Sequence, residues 1–597
     1  MRGLTTDLSR GQQVIDRLST VQLQQGHRAV VIPQKGDYVP VNGLKILGLE
    51  SLLLCLTFAA AVLASRFLPR SWEHPRWLSW ILADNRRSVL SVIALALVSR
   101  ALLLPVVGIP APRINDEYSF LLMADTFAHH RLTNPTPPAW QHFETFWVNF
   151  TPTYHSKYPV SQGIVLAFGE AVFHQPWIGV YLSTAVLCGA ICWALQAFVP
   201  PPWALLGGCL AVLRMALFSY WMNSYWGGSV AALGGALAVG SVVRLFEGSR
   251  TERNRALLAC LFAISLLILA TSRPFEGLAF SLPLAAYFSY QVLRSLLRRE
   301  LTFRSTLLPV GLIGLAGGLM MMYYNQRTTG NPLLLPHVLN ERTYSSLPLF
   351  LWQKGNPAIN FPDPAFARFY QALAHEFDYA RIRTASGLRD IEVVRFLQAW
   401  FFYIGPALSL PCLVGLFLSL RQEHLRLVLL AALCTALAFA SSFYTMLHYA
   451  APATIVVYLL AVVGLRYFWL QRQVAERCFV VAVCVTVAVT CLSRQSGTAV
   501  NTSFTYPNNR RLIIQELENK PGRQLVLVSY DLDHHYPGEE LVHNGADFSA
   551  EKILWARSKG LQNDRQLCAA YSDRTFWMVT TDDESYSLKP VNLCGQP

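Results

Sequence analysis

The sequence predicts a multi-span α-helical membrane protein of about 12 spans, with an extracytoplasmic loop that carries a surface helix and a small C-terminal soluble α/β domain. Three observations predict it. Of the 597 residues 53% are hydrophobic and only 14% charged, against about 25% charged in an ordinary soluble protein. Apolar runs of about 17–25 residues, long enough to cross about 30 Å of hydrocarbon, recur from residue 46 to residue 493. Beyond residue 493 the pattern changes to short alternating segments. RRLIIQELEN reads as helix, RQLVLVSYD as strand, AEKILWARSKG as helix and RTFWMVTTDD as strand, the alternation of a small α/β fold.

The elements follow in order. Residues 1–45 form a polar N-terminal tail without a short apolar region ahead of a small-residue cleavage site, so no removable signal peptide is expected. Residues 46–87 hold an uncleaved anchor span (46–67) and a basic loop. The membrane body, 88–493, has spans near 88–109, 177–198, 203–220, 229–246, 256–272, 277–297, 306–324, 400–420, 425–444, 449–469 and 477–493, and outer segments at 110–176 and 325–399. Within the first outer segment, residues from Asp116 to His130 are helix-compatible, with Phe120, Leu121, Met123 and Ala124 forming an apolar side suited to the membrane surface. Segment 158–173 is short and contains Gly163, Gly169 and Glu170, which points to an interfacial or re-entrant helix. Residues 494–597 form the soluble domain. No internal repeat or heptad series is present.

Charge placement orients the chain. The net charge of +13 comes from arginines in alternate loops: Arg66, Arg70, Arg76, Arg86 and Arg87; Arg244, Arg250, Arg253 and Arg255; Arg294, Arg298, Arg299 and Arg304; Arg421 and Arg426; Arg466, Arg472 and Arg477. The intervening short loops, 221–228 and 445–448, carry none, and the turn at 273–276 has only Arg273. The positive-inside rule therefore places both outer segments and the C-terminal domain outside the cytoplasm, and the basic charge records a bilayer rather than nucleic acid. One conflict remains: a full span at 46–67 puts the basic N-terminal tail outside as well. Ten of the 12 cysteines lie in or beside apolar spans, where a thiol behaves as a small hydrophobe. Cys568 and Cys594 lie in the exported tail, as a disulfide or as two free thiols. No CxxC or HxxH spacing argues for zinc.

The residues suited to chemistry converge on the outer side. RINDEYSFLL (113–122) puts Asp116 and Glu117 directly after a span, either as the start of a surface helix, with Asn115 or Asp116 as cap, or as a general base or cation ligand at headgroup level. On a helix the two side chains point about 100° apart. Arg273, in TSRPFEG, offers a planar fork of donors for a phosphate, or pairs with Glu276. Lys157, in SKYP, is a second cation, or snorkels to the headgroups. Arg214 is an ionisable residue at membrane depth, a functional candidate unless it snorkels. Tyr225 and Trp226, in WMNSYWGGS, form an interfacial aromatic belt or a sugar-stacking platform. His448 and Tyr449 close the set at the outer end of a late span. Each has an ordinary structural explanation; together they compose what a phosphate-bearing lipid substrate requires.

These residues give the chain a resemblance to the GT-C-type integral membrane glycosyltransferases that use polyprenyl-phosphate sugars, a group that includes aminoarabinose transferase and the protein O-mannosyltransferases. The resemblance rests on the acid pair Asp116-Glu117 in the first large outer loop, the helix behind it, the KYP element Lys157-Tyr158-Pro159, and the segments NSYWGG, SRPFEG and HYAAP. It spans roughly residues 88–493. It implies an inverting transfer from a polyprenyl-phosphate sugar to a glycan, lipid or protein acceptor of the bacterial envelope, at the outer face of the inner membrane. Asp116, or Glu117 beside it, would act on the acceptor hydroxyl. Lys157, Arg273 and Arg214 would bind the donor phosphate, and Tyr158, Gln162, Tyr225, Trp226, Glu276, His448 and Tyr449 would line the substrate site. Some members use a divalent cation such as Mg or Mn. Without a DxD spacing the requirement stays open, with Asp116 or Glu117 as ligand if there is one. The rival readings are a lipid or polysaccharide transporter, disfavoured by the lack of repeats, and a non-catalytic envelope-assembly protein.

Overall fold

The computed structural model describes residues 43–66, 75–246, 251–298, 303–356, 359–361, 363–471, 473–500, 509–531, 534, 540–582 and 585–595; residues 1–42 of the polar tail and Arg70, Arg250, Arg299 and Arg472 lie outside them. Among the described residues, eight helices are long and apolar enough to cross a membrane: Asn85–Val107 (α2), Trp177–Leu195 (α5), Gly228–Leu245 (α7), Glu252–Ser272 (α8), Phe303–Thr329 (α10), Glu423–Ser441 (α14), Leu447–Leu470 and Val474–Cys491. The last two are called α15, whose α-helical part is Thr454–Leu470, and α16. The other apolar runs are also helical: Gly43–Ala64 (α1), Pro201–Ala211 (α6) continuing through a π turn to Leu217, and Pro274–Leu297 (α9). This is a multi-pass integral membrane protein.

Burial follows composition. α5 and α7 are apolar all round and mostly buried, so they form the centre of the bundle. α10 lies at the periphery, exposing Leu312, Leu315, Leu319, Met320 and Tyr323 at helical spacing to what must be lipid. Small residues bring backbones together. A Cβ on Gly464 of α15 would lie 1.9 Å from the carbonyl oxygen of Pro411, and one on Gly415 would lie 2.0 Å from that of Leu460.

Three expectations need correction. The run 400–420 is not one straight span: after the outer-segment helix Pro364–Glu376 (α11), helix Ala385–Tyr403 (α12) ends, and Gly405–Ser419 (α13) leaves at 95°. Gly405 has φ +69°, a conformation glycine adopts without penalty, and Pro406 starts the new helix. The apolar side of Asn115–Ala128 (α3) does not lie on the membrane surface; Phe120, Met123 and Ala124 are buried within the protein. In the C-terminal domain AEKILWARSKG is not a helix, because Ile553–Arg557 forms a strand. Leu554 to Arg557 are buried in a parallel pairing, where tertiary packing overrides helix propensity.

The C-terminal sheet has the order β4-β3-β5-β6, with β3 (Arg523–Tyr530) parallel to β4 (Ile553–Arg557) and to β5 (Arg574–Thr581), and β6 (Tyr586–Pro590) antiparallel to β5; β1 (Val148–Asn149) and β2 (His155–Ser156) form a separate ladder in the loop. Helix Asn509–Glu518 packs Ile513 and Leu517 on one sheet face, against Val526, Val528 and Trp555. The other face, Leu525, Leu527, Leu554 and Phe576, closes over Leu122, Phe143, Phe150 and Tyr154 of the loop after α2. The sheet and that loop therefore share one core. Cys568 and Cys594 form a disulfide with Cα atoms 5.5 Å apart.

Candidate active site

The site is built at the end of the bundle where α3 begins. The two acids separate there. Glu117, at the third position of α3, is 4% exposed, and its carboxylate accepts from the N–H groups of Arg113 (2.9 Å), Ile114 (3.4 Å) and Tyr225 (2.9 Å). It closes the helix start and pins the 221–228 loop. Burial pushes its carboxyl up to about 7, against the downward pull of those three N–H groups. Ile114, rather than Asn115 or Asp116, occupies the cap position.

Asp116 points elsewhere. It is half-buried and accepts a hydrogen bond from the Tyr158 hydroxyl. Burial raises its carboxyl above the usual range, while Tyr158, Lys157 and Arg273 pull it down. Tyr158 stacks on Phe120 at 4.3 Å, and burial followed by the charge of Asp116 keeps its proton on. Asp116 is thus a carboxylate with enhanced basicity held beside two cations.

Those cations differ. Lys157 is 8% exposed, ion-paired to Glu341 at 3.0 Å and seated 3.4 Å from the centre of the Trp147 ring, so it is fixed inside the protein and does not snorkel. Arg273, at the junction of α8 and α9, lies over the Tyr449 ring at 4.4 Å. Its charge reaches Asp116, Tyr158, Tyr220, Glu276, His448 and Tyr449. Arg273 is the electrostatic centre of the cluster. His448 shares a 3.0 Å hydrogen bond with Tyr220 and packs against Trp226 at 5.0 Å. Glu276 accepts from Ser442 at 3.4 Å.

Other candidates serve structure. Tyr225 is buried, its hydroxyl donating to Pro110 at 3.0 Å and its carbonyl accepting from Gln162 at 2.9 Å. Trp226 is buried too, so the WMNSYWGGS loop offers no open stacking platform. Arg214 does not join the cluster. It donates to the carbonyls of Phe401 (3.1 Å) and Phe402 (2.8 Å), which the end of α12 leaves without helical partners. Across the same break Glu50 of α1 accepts from Ala407 N–H at 3.2 Å. A charge at membrane depth is here a helix cap.

The acid pair does not offer two carboxylates to one ion, because Glu117 is saturated by N–H donors and directed away from Asp116. Among the described residues no group of three or more His, Cys, Asp or Glu side chains could hold a metal. Glu341, Trp147 and Tyr220 had no signal in the sequence: Glu341 stands 184 residues from the lysine it pairs with.

No protein-family model and no curated protein matches the chain. Among solved structures the chain is similar to ArnT from Cupriavidus metallidurans bound to undecaprenyl phosphate, at TM-score 0.48 and 13% identity over 85% of this chain and 99% of that one. It is similar to the apo state of ArnT at 0.47 and 13%, over 85% and 94%. The oligosaccharyltransferase of Archaeoglobus fulgidus in complex with Zn and sulfate gives 0.43 and 10%, over 83% and 67%.

Proposed function

We propose that the protein is a membrane glycosyltransferase that moves a sugar from a polyprenyl-phosphate donor to an acceptor outside the cytoplasm, with inversion. The observation that carries this reading is the juxtaposition of Asp116, poised by Tyr158, with Arg273 at one end of an apolar bundle. Asp116 takes the proton of the acceptor hydroxyl. The hydroxyl oxygen forms a bond to the anomeric carbon as the bond to the phosphate oxygen breaks on the opposite side, its electron pair leaving with the phosphate. Arg273 meets the charge that develops there from a position fixed before reaction, and Lys157 adds to the field. Tyr158 orients the base. Arg86 and Arg87 at the start of α2, Arg244 in the last turn of α7 and Arg294 in the last turn of α9 stand at the helix ends away from Asp116 and Arg273, which supports an extracytoplasmic site under the positive-inside rule, in a bacterial inner membrane.

The test is Asp116→Asn in membranes that supply the acceptor, with release of polyprenyl phosphate from a synthetic polyprenyl-phosphate sugar as readout. The expected loss is about 10²–10⁴-fold. Full activity in a folded, inserted variant overturns the role of Asp116, and a wild-type protein that consumes no such donor overturns the function.

A further inference from the structure

The end of the bundle away from Asp116 carries a cavity that the transfer chemistry does not use. α2, with 23 residues and so about 35 Å long at 1.5 Å per residue, separates that end from α3 and from the short helix Val160–Phe173 (α4), which follows Lys157 and Tyr158. The cavity holds about 590 Å³ between the start of α2, the end of α5 and the end of α7, within the range of about 300–1,000 Å³ for small-molecule sites. Arg86, Val89 and Leu90 line it together with Trp193, Gln196 and Arg244.

Its cations are set by the fold. The Arg244 guanidinium lies over the Trp193 ring at 4.3 Å and donates to the carbonyls of Gly240 (2.9 Å) and Trp193. Gly240 permits this arrangement, because a Cβ there would stand 2.4 Å from the Trp193 ring. Arg86, in the first turn of α2, is exposed, and its side chain has no hydrogen-bond, ion-pair or ring partner among the described residues. Gln196 donates to the Asn85 carbonyl at 3.0 Å and ties the end of α5 to the start of α2. Asp84, just before the cavity, is engaged as the cap of α2, accepting from Arg86 N–H at 2.8 Å. The described residues that line the cavity include two arginines and no carboxylate, so the lining is positive.

A second observation fixes the depth of those cations in the bilayer. The helix Arg76–Leu82, directly before α2, buries none of its residues and exposes Trp77 and Trp80, and indole rings settle at the headgroup level of a membrane. Arg87 lies over the Trp80 ring at 4.5 Å and donates to the Trp80 carbonyl at 3.2 Å, which holds the start of α2 at that level. Leu90, one turn further along α2, is exposed, as are Val98 and Leu102 beyond it. The cavity thus joins cations at headgroup level to an apolar wall beneath them, the order of parts in a phospholipid.

We propose that this cavity binds an anionic phospholipid: Arg86 and Arg244 take the headgroup phosphate, and an acyl chain runs along Val89 and Leu90. The site stands whether or not the protein transfers sugar.

The test is native mass spectrometry of the delipidated full-length protein in detergent, reading the first lipid bound. It is titrated with dioleoyl phosphatidylglycerol, with dioleoyl phosphatidylcholine, whose phosphate is offset by its own choline, and with phosphatidylglycerol against inorganic phosphate. Phosphatidylglycerol is expected to bind about tenfold more tightly than phosphatidylcholine. Arg86→Ala should weaken it about fivefold, and Arg86→Ala with Arg244→Ala about 30-fold, the equivalent of about 1 kcal/mol per arginine. Arg421→Ala with Arg426→Ala removes the same charge at the start of α14 and should leave the affinity within about twofold. Should the Arg86 and Arg244 double variant not fold, Arg86→Ala, at an exposed position, carries the test alone. Phosphatidylcholine binding as tightly as phosphatidylglycerol overturns the proposal, as does no binding, unchanged binding in Arg86→Ala, or an equal loss in the Arg421 and Arg426 variant. Displacement of the lipid by millimolar inorganic phosphate would make this a free-phosphate site and overturn the lipid assignment.

Discussion

Replacing Glu117 by Gln is expected to flatten the dependence of stability on pH. In the folded protein burial lifts this carboxyl from 4.5 to about 7, so between those values the folded state holds a proton that the unfolded state has released. The stabilisation is fully present below pH 4.5 and is lost as pH rises through 7. At about 1.4 kcal/mol per pH unit the span is worth about 3 kcal/mol. Only 4% of the side chain is exposed, so solvent screens little of it. The assay is the apparent unfolding midpoint of the purified protein from pH 5 to 8, wild type beside Glu117→Gln; the other titrating groups contribute to both curves and drop out of the difference. The wild type should lose about 3 kcal/mol more than the variant across the range. Parallel curves would refute the buried, N–H-saturated carboxyl, and with it the division of labour between Glu117 and Asp116. Transfer activity at pH 6 should stay within tenfold of wild type, because Glu117 faces backbone rather than substrate.

Other substitutions probe the cluster and the bundle. Arg273→Lys keeps the charge but loses the planar fork, and kcat/KM should fall about 10–100-fold, the equivalent of about 1.5–3 kcal/mol for a hydrogen bond to a charged group; an unchanged value would remove Arg273 from the phosphate. Tyr158→Phe deletes a hydrogen bond that lowers the pKa of Asp116, so the acidic limb of the pH–rate profile should move to higher pH, and a shift to lower pH would contradict the assigned contact. Gly464→Ala puts a methyl 1.9 Å from the Pro411 carbonyl oxygen. It should cost about 1–3 kcal/mol or more, read as a lower unfolding midpoint and reduced monodisperse yield; a stable variant would mean that α13 and α15 do not cross there.

Much of the fold was legible because helix and strand signals are local. NDEYSFLLMADTFA carries acids at its start and apolar residues at helical spacing, and it forms a helix from Asn115 to Ala128. ILWAR misled for the opposite reason: five apolar-rich residues support either state, and the parallel partner that decides is 29 positions away, with Gln524 opposite Ile553. The bend at Gly405 was hidden because an apolar run reads the same whether straight or broken. Arg214 looked functional on the general rule that membrane charges are costly. The break it caps supplies the reason it is tolerated.

The sequence by itself determined that the chain lives in a membrane, which apolar runs are helical, and that Asp116 and Glu117 must point apart, since each follows from composition or from the 100° turn per residue. Tertiary structure alone decided which acid is spent on backbone N–H groups, that Lys157 is paired with Glu341, and that Arg273 reaches both Asp116 and His448. The Glu117–Tyr225 contact and the other two relations join residues more than 100 positions apart. They depend on how the helices pack, and no local periodicity encodes that.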